Sequence, residues 1–311
     1  MTVSRVALVF PGQGSQAVGM GRDIYDAFPA ARQVFDAADR ALGFPLTRLC
    51  FEGPEDELRQ TVNVQPAIVA VSLALLAAAE AARPLKAAFA AGHSLGEYSA
   101  LAAAGAISAV EAIAFARLRG ELMQQAGREN PGAMAAVLGL DEPAVEAICR
   151  EAGAYVANYN SPGQVVISGE APKVEAAGKL AGERGARKVV PLPVSGAFHT
   201  PLMAPAAKGL SAALAKVKWA EPAVPVIANT TARPIPGAAG INKELAGQLT
   251  SPVRWQQSVA ALASSGADAF VEIGPGRVLT GLIKRISPES KKFNIGDAAS
   301  LREYIEKGLP S

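Results

Sequence analysis

Hydrophobic positions in this chain switch between short unbroken runs and a helical repeat, the pattern of buried strands alternating with helices. Val6 to Phe10 is a wholly apolar run ended by Pro11-Gly12, as expected of a strand buried on both faces. A glycine-rich turn follows. From Asp23 to Leu42 the residues Ile24, Phe28, Ala31, Val34, Phe35, Ala38 and Leu42 recur at helical spacing, and Gly43 supplies a C-cap, so one helix is predicted there. Pro66 to Ala82 is apolar nearly all round and reads as a central helix. Leu85 to Ala91 reads as a strand despite its alanines, because it runs into Gly92-His93-Ser94-Leu95-Gly96 and then a helical pattern from Glu97 to Ala104.

The pattern changes between Gly132 and Val194. Ala133 to Leu140, Tyr155 to Asn160, Gln164 to Ser168 and Lys188 to Val194 read as strands, with helices from Pro143 to Ala152 and from Pro172 to Arg184. That order, βαββαβ, is the ferredoxin-like arrangement. Helix and strand alternation resumes afterwards, in Leu202 to Val217, Pro225 to Ala228, Trp255 to Ser264 and Ala269 to Ile273, the last opening into Gly274-Pro275-Gly276. The unit is therefore read as an insertion. The fold class is α/β: a parallel-sheet domain made of residues 1–129 and 199–311, carrying a ferredoxin-like subdomain of residues 130–198.

Composition narrows the function. Thirty Lys and Arg against 28 Asp and Glu leave a formal charge of +2, too balanced for a nucleic-acid partner. Cys50 and Cys149 stand apart among apolar neighbours and read as buried thiols. Two histidines, His93 and His199, argue against a zinc site. The stretch from Val62 to Ala79 is interrupted by Asn63, Gln65, Pro66 and Ser72, short of the ~20 apolar residues of a membrane span. No signal-peptide core precedes Pro11, and a cytoplasmic protein is expected.

Gly92-His93-Ser94-Leu95-Gly96 fits G-x-S-x-G, the nucleophile elbow, in which two glycines relieve crowding on a strained strand-to-helix turn that exposes the serine hydroxyl. A serine needs a base. The turn sends His93 away from the hydroxyl, into a structural role, which leaves His199 in Val194-Ser195-Gly196-Ala197-Phe198-His199, where the inserted unit rejoins the main domain. No acid stands out, and a carbonyl holding the imidazole serves the same need. Leu95, after the nucleophile, offers a backbone N–H to an oxyanion. Gly12-Gln13-Gly14 can present another, although Gly12-x-Gly14-x-x-Ala17 also fits a dinucleotide fingerprint. Against that rival, Asp36 and Asp39 fall inside a helix rather than at the end of a second buried strand.

Phe10-Pro11-Gly12-Gln13-Gly14-Ser15-Gln16, Gly92-His93-Ser94-Leu95-Gly96-Glu97-Tyr98, Asn158-Tyr159-Asn160-Ser161-Pro162-Gly163-Gln164, Gly196-Ala197-Phe198-His199 and Glu272-Ile273-Gly274-Pro275-Gly276 together resemble the malonyl-CoA:acyl carrier protein transacylases. The resemblance implies an α/β-hydrolase-like domain with a ferredoxin-like insertion. It implies Ser94 as the acylated nucleophile, His199 as its base, Gln248 as the residue whose main-chain carbonyl orients the histidine, and Gln13 and Leu95 as oxyanion-hole residues. Arg119 is implied to grip the malonyl carboxylate, with Asn160 near the substrate. An unpaired carboxylate is costly in a closed pocket, and a guanidinium forks onto it with two hydrogen bonds, which favours Arg119 independently. Related malonyl-specific domains often carry histidine where this chain has Gly196, so substrate choice within that motif rests on Phe198.

The expected activity is ping-pong transfer of malonyl from malonyl-CoA to the phosphopantetheine thiol of acyl carrier protein through malonyl-Ser94, with no metal or tightly bound cofactor, in a monomer. A thioesterase using the same dyad is the alternative, and a catalytically dead carrier-binding scaffold a second one. An acidic carrier calls for a basic patch, for which Lys284-Arg285 and Lys291-Lys292 are the candidates.

Overall fold

A computed structural model describes residues 5–194 and 196–309; Ser195 lies outside the described residues. Its strands are β1 (Val6–Phe10), β2 (Ala87–Gly92), β3 (Ala133–Leu138), β4 (Tyr155–Ser161), β5 (Gln164–Gly169), β6 (Lys188–Pro191), β7 (Val226–Ile227), β8 (Ala269–Ile273) and β9 (Lys291–Ile295). Five form a parallel sheet in the order β7-β2-β1-β8-β9. Every residue of β1 and β8 is buried, as strands covered by helices on both faces must be. Chain order reverses on either side of β1, and in open α/β sheets ligands gather beyond the carboxyl ends of the strands at such a point. Phe10 pairs with Gly92, so the two strands end together and deliver the Gln13 loop and the Ser94 turn side by side.

The other four strands form an antiparallel sheet in the order β4-β5-β3-β6, covered by helices Glu142–Ala152 and Ala171–Glu183. This is the ferredoxin-like βαββαβ unit, and it has an apolar core of its own, built from Val137, Ile148, Val165, Ile167 and Ala177 among others. Its edge strand β4 is tied to the segment after Gln248: Tyr159 N–H donates to Val253 C=O at 2.9 Å, and Val253 N–H donates to Ala157 C=O at 2.8 Å. That seam matters because the same segment carries the carbonyl that meets His199.

Several expected boundaries moved for local reasons. The helix read from Asp23 to Leu42 is two helices, Arg22–Ala27 and Pro29–Leu42, with Phe28 extended between them. A residue before proline is pushed out of the helical region, and Pro29 then starts the second helix. The central helix begins at Thr61, not Pro66. Pro66 has no N–H for the carbonyl of Val62, and Arg117 Nη1 donates to that oxygen instead at 3.3 Å. This helix packs along Ala109–Glu129 and is mostly buried within the protein. β6 stops at Pro191 rather than Val194, because Pro191 and Pro193 bring no N–H to a ladder. The helices Ala109–Glu129, Gly237–Gln248, Val278–Ile286 and Ala298–Lys307 and the lysine-led strand β9 escaped delimitation from the pattern. Cys50 and Cys149 are buried free thiols, and burial pushes each up to about 12.

Candidate active site

Ser94 sits on the turn between β2 and the helix Gly96–Ala103 with φ 50°, a left-handed conformation that L-residues rarely adopt. The flanking glycines make the turn possible. A Cβ on Gly92 would lie 1.9 Å from the Gly96 carbonyl carbon, and a Cβ on Gly96 would lie 2.1 Å from the Phe10 carbonyl oxygen. The strain at Ser94 is held by Asn229, whose Oδ1 accepts from Ser94 N–H at 2.6 Å while its Nδ2 donates to Gly92 C=O at 2.7 Å.

His199 reaches the same point from the other side of the cleft, also with positive φ, 60°. Its Nε2 stands 2.8 Å from Ser94 Oγ and its Nδ1 stands 2.8 Å from the main-chain oxygen of Gln248. A carbonyl only accepts, so Nδ1 carries the proton and Nε2 is left as the acceptor for the serine hydroxyl. Burial, followed by the positive charge of Arg119, pushes His199 down to about 3, so the imidazole is neutral at neutral pH.

Arg119 projects from the buried face of helix Ala109–Glu129, which also carries Ala112, Ala116 and Met123 at helical spacing. Its Nη2 donates to Ser94 Oγ at 3.0 Å and to Gln248 Oε1 at 2.9 Å, and its Nη1 donates to Gln65 Oε1 at 2.8 Å. Its Nε is buried without a partner, and no carboxylate pairs with the guanidinium among the described residues. A nearly fully buried cation held only by neutral oxygens is costly, a cost that an anion entering the site would relieve.

A cavity of about 100 Å³ opens over these groups, lined by Gln13, Ser94, Leu95, Arg119, Phe198 and His199 with Met123, Met134 and Leu192 as apolar wall. The backbone N–H groups of Gln13 and Leu95 donate to no acceptor among the described residues, which leaves both available to an oxyanion. Phe198 is buried, and its ring lies against Gly196, where an added Cβ would come within 2.6 Å of it. The glycine that departs from the related malonyl-specific pattern is the space in which this ring rests.

Residues 7–304 match the model of the acyl transferase domain. The chain is 44% identical over 98% of its length to the malonyl CoA-acyl carrier protein transacylases of Bacillus subtilis and Escherichia coli, covering 97% and 100% of those proteins. It belongs to the malonyl-CoA:acyl carrier protein transacylase family. The crystal structure of an acyl-carrier-protein S-malonyltransferase from Bartonella henselae superposes with TM-score 0.93 at 43% identity, covering 97% of this chain and 98% of that one. A malonyl-transacylase in complex with its type II PKS acyl-carrier protein gives 0.94 at 42% identity, covering 97% and 99%.

Against the transacylase pattern, the structure draws Ser94, His199, Arg119, Gln13, Leu95 and Phe198 to one cavity, with Gln248 bonded to Arg119 and His199 behind it. Asn160 stands one step back: its Oδ1 meets His93 Nε2 at 2.8 Å, and Asn158, not Asn160, lines the cavity. His93 also lines the cavity, with its Nε2 on Asn160 Oδ1 and its ring in T-shaped contact with Trp255, and burial lowers its basicity. Three residues bonded to the site had no role assigned from the sequence: Gln65, Asn229 and Glu97. Gln65 and Glu97 left a signal, one as a polar residue within an apolar stretch and the other as a carboxyl group directly after Gly96 in an otherwise uncharged helix. It is fully buried, and burial together with Glu244 pushes it up, against the hydrogen bonds it accepts from Asn229 and Gln248.

Proposed function

We propose that this transacylase, acting as a cytoplasmic monomer, moves the malonyl group of malonyl-CoA to the phosphopantetheine thiol of an acyl carrier protein by a ping-pong route through malonyl-Ser94. The observation that carries this reading is Arg119, a buried guanidinium with no carboxylate partner among the described residues, 3.0 Å from Ser94 Oγ. An acyl group esterified at that oxygen and ending in a carboxylate completes the ion pair that the protein leaves open.

The chemistry follows from the hydrogen bonds. Nε2 of neutral His199 takes the Ser94 proton as Oγ attacks the thioester carbonyl, and Gln248 C=O keeps the resulting imidazolium oriented through Nδ1–H. The tetrahedral oxyanion accepts from the N–H groups of Gln13 and Leu95. The imidazolium returns its proton to the departing CoA sulfur. In the second half-reaction His199 deprotonates the carrier thiol, whose sulfur attacks the ester carbonyl, and the imidazolium returns the proton to Ser94 Oγ as the ester C–O bond breaks. The malonyl carboxylate also neutralises the Arg119 charge that depresses His199, so binding the correct acyl group raises the proton affinity of the base. The scheme calls for neither metal nor tightly bound cofactor. Arg119 weighs against a general thioesterase, whose uncharged acyl chains have no use for a buried cation.

Malonyl-CoA without carrier should release a burst of CoA equal to the enzyme concentration and leave the malonyl label on Ser94. Steady release with no acyl-enzyme rules out the covalent route. Mass spectrometry of carrier protein incubated with the enzyme and a mixture of acyl-CoAs should show the malonyl adduct dominating.

A further inference from the structure

Two side-chain amides support this site, and each must point a particular way. Gln248 has to turn Oε1 toward Arg119, because an amide NH2 facing the guanidinium would set donor against donor. Asn229 has to turn Oδ1 toward Ser94 N–H for the same reason. An amide has no intrinsic preference between its two orientations, so something must hold the NH2 ends. Each NH2 end has one backbone acceptor, Ser94 C=O at 3.0 Å from Gln248 Nε2 and Gly92 C=O at 2.7 Å from Asn229 Nδ2, and the two share a further acceptor, Glu97. Oε2 of Glu97 accepts from Gln248 Nε2 at 2.6 Å, and Oε1 accepts from Asn229 Nδ2 at 3.0 Å and from Asn229 N–H at 2.8 Å. The residue is fully buried, so no exposed surface competes for these oxygens.

We infer that Glu97 is a positioning residue whose two acceptor oxygens fix the polarity of the Gln248 and Asn229 amides, so that one presents an oxygen to the acyl-carboxylate receptor Arg119 and the other to the strained nucleophile turn. The carboxyl group touches neither substrate nor Ser94 Oγ. It acts through Gln248 on acyl recognition and through Asn229 on the geometry of the serine. A glutamine at the same position keeps the shape but supplies an NH2 in place of one oxygen, which confronts one of the two amides with a donor and leaves its orientation to the single backbone carbonyl that remains, Ser94 C=O or Gly92 C=O. This inference rests on the reading of Arg119 as the carboxylate receptor.

The test is a double-mutant cycle of Glu97→Gln with Arg119→Ala, read as kcat/KM for malonyl-CoA and acetyl-CoA, with Glu97→Asp as a variant that retains both acceptor oxygens. Arg119→Ala alone tests the underlying reading: if it leaves the malonyl to acetyl ratio unchanged, that reading fails, whatever Glu97 does. Given that Arg119→Ala collapses the ratio, Glu97→Gln should lower malonyl kcat/KM by about tenfold or more in the wild-type background, as expected for misdirecting a hydrogen bond to a charged group. In the Arg119→Ala background the same change should lower it several times less, and Glu97→Asp should recover part of the ratio. Equal losses from Glu97→Gln in both backgrounds rule out the route through Gln248, and the absence of any recovery by Glu97→Asp in either background rules out the route through Asn229 as well and reduces Glu97 to a packing residue. If Glu97→Gln does not fold, the comparison of Glu97→Asp with wild type in the two Arg119 backgrounds decides by the same criterion.

Discussion

Ser94 Oγ lies between His199 Nε2 at 2.8 Å and Arg119 Nη2 at 3.0 Å, donating to the first and accepting from the second. The hydroxyl is thus polarised from both sides, and the cation proposed to receive the acyl carboxylate is already in contact with the proposed nucleophile.

Arg119→Ala should therefore depress malonyl transfer more than acetyl transfer. Breaking a buried charge pair costs about 2–5 kcal/mol, or roughly thirtyfold upward in malonyl kcat/KM. The ratio of malonyl to acetyl kcat/KM is the measurement, and it should fall.

Phe198 should exclude an α-methyl branch from the cavity. Phe198→Ser removes the ring resting on Gly196 and should shift the malonyl to methylmalonyl ratio of kcat/KM toward methylmalonyl by ~1–3 kcal/mol, with no gain for acetyl. An unchanged ratio would demote the ring to ordinary packing.

His199 also sets a pH dependence of stability. Its folded-state pKa of about 3 lies below the ordinary 6.5, so between those values the unfolded chain binds a proton that the native protein does not. Stability from this group is fully present above 6.5 and is lost as pH falls toward 3. Thermal unfolding of His199→Gln between pH 7 and pH 4 should show a shallower loss of Tm than wild type. His93, depressed in the same direction by burial, should contribute a further part of the slope.

Gly92→Ala should abolish the nucleophile turn, because its Cβ would come within 1.9 Å of the Gly96 backbone, which no side-chain rotation relieves. Loss of soluble protein, or a Tm drop matching several kcal/mol, is expected from a clash of that kind. Circular dichroism melts and labelling of Ser94 by malonyl-CoA check both.

Lys284 and Arg285 are exposed at the end of the helix Val278–Ile286, and Arg285 reaches across to Gln164 at the tip of β5. Reversing both charges should raise the KM for the carrier protein and leave the CoA-release half-reaction intact. Equal damage to both halves would rule out docking there.

The strands were legible where burial on both faces demanded unbroken apolar runs: Val6–Phe10 and Ala269–Ile273 coincide with β1 and β8, and Trp255–Ser264 with a helix. The βαββαβ order could be read because each element there is short and punctuated by glycine or proline. The strand β9 could not, since Lys291 and Lys292 hide an edge strand whose partner lies near residue 270. Ser94 was visible because a strained turn needs glycine at fixed offsets, which is a local requirement written into consecutive residues. Arg119 and Gln248 were reached through resemblance, for on their own helices they look like any other polar side chain.

What the linear chain determined, then, is the set of local constraints: where the backbone must run straight and buried, where only glycine fits, and where proline ends a ladder. What the tertiary structure alone decided is which polar atoms meet. The carbonyl of Gln248 replaces an acid behind His199 because β4 pins the neighbouring segment through Val253. Gln65, Asn229 and Glu97 join the site through contacts between residues 54 to 151 positions apart, whose partners carry no sequence spacing. A hydrogen bond depends on distance and direction in space, and only the folded arrangement of both sheets supplies those.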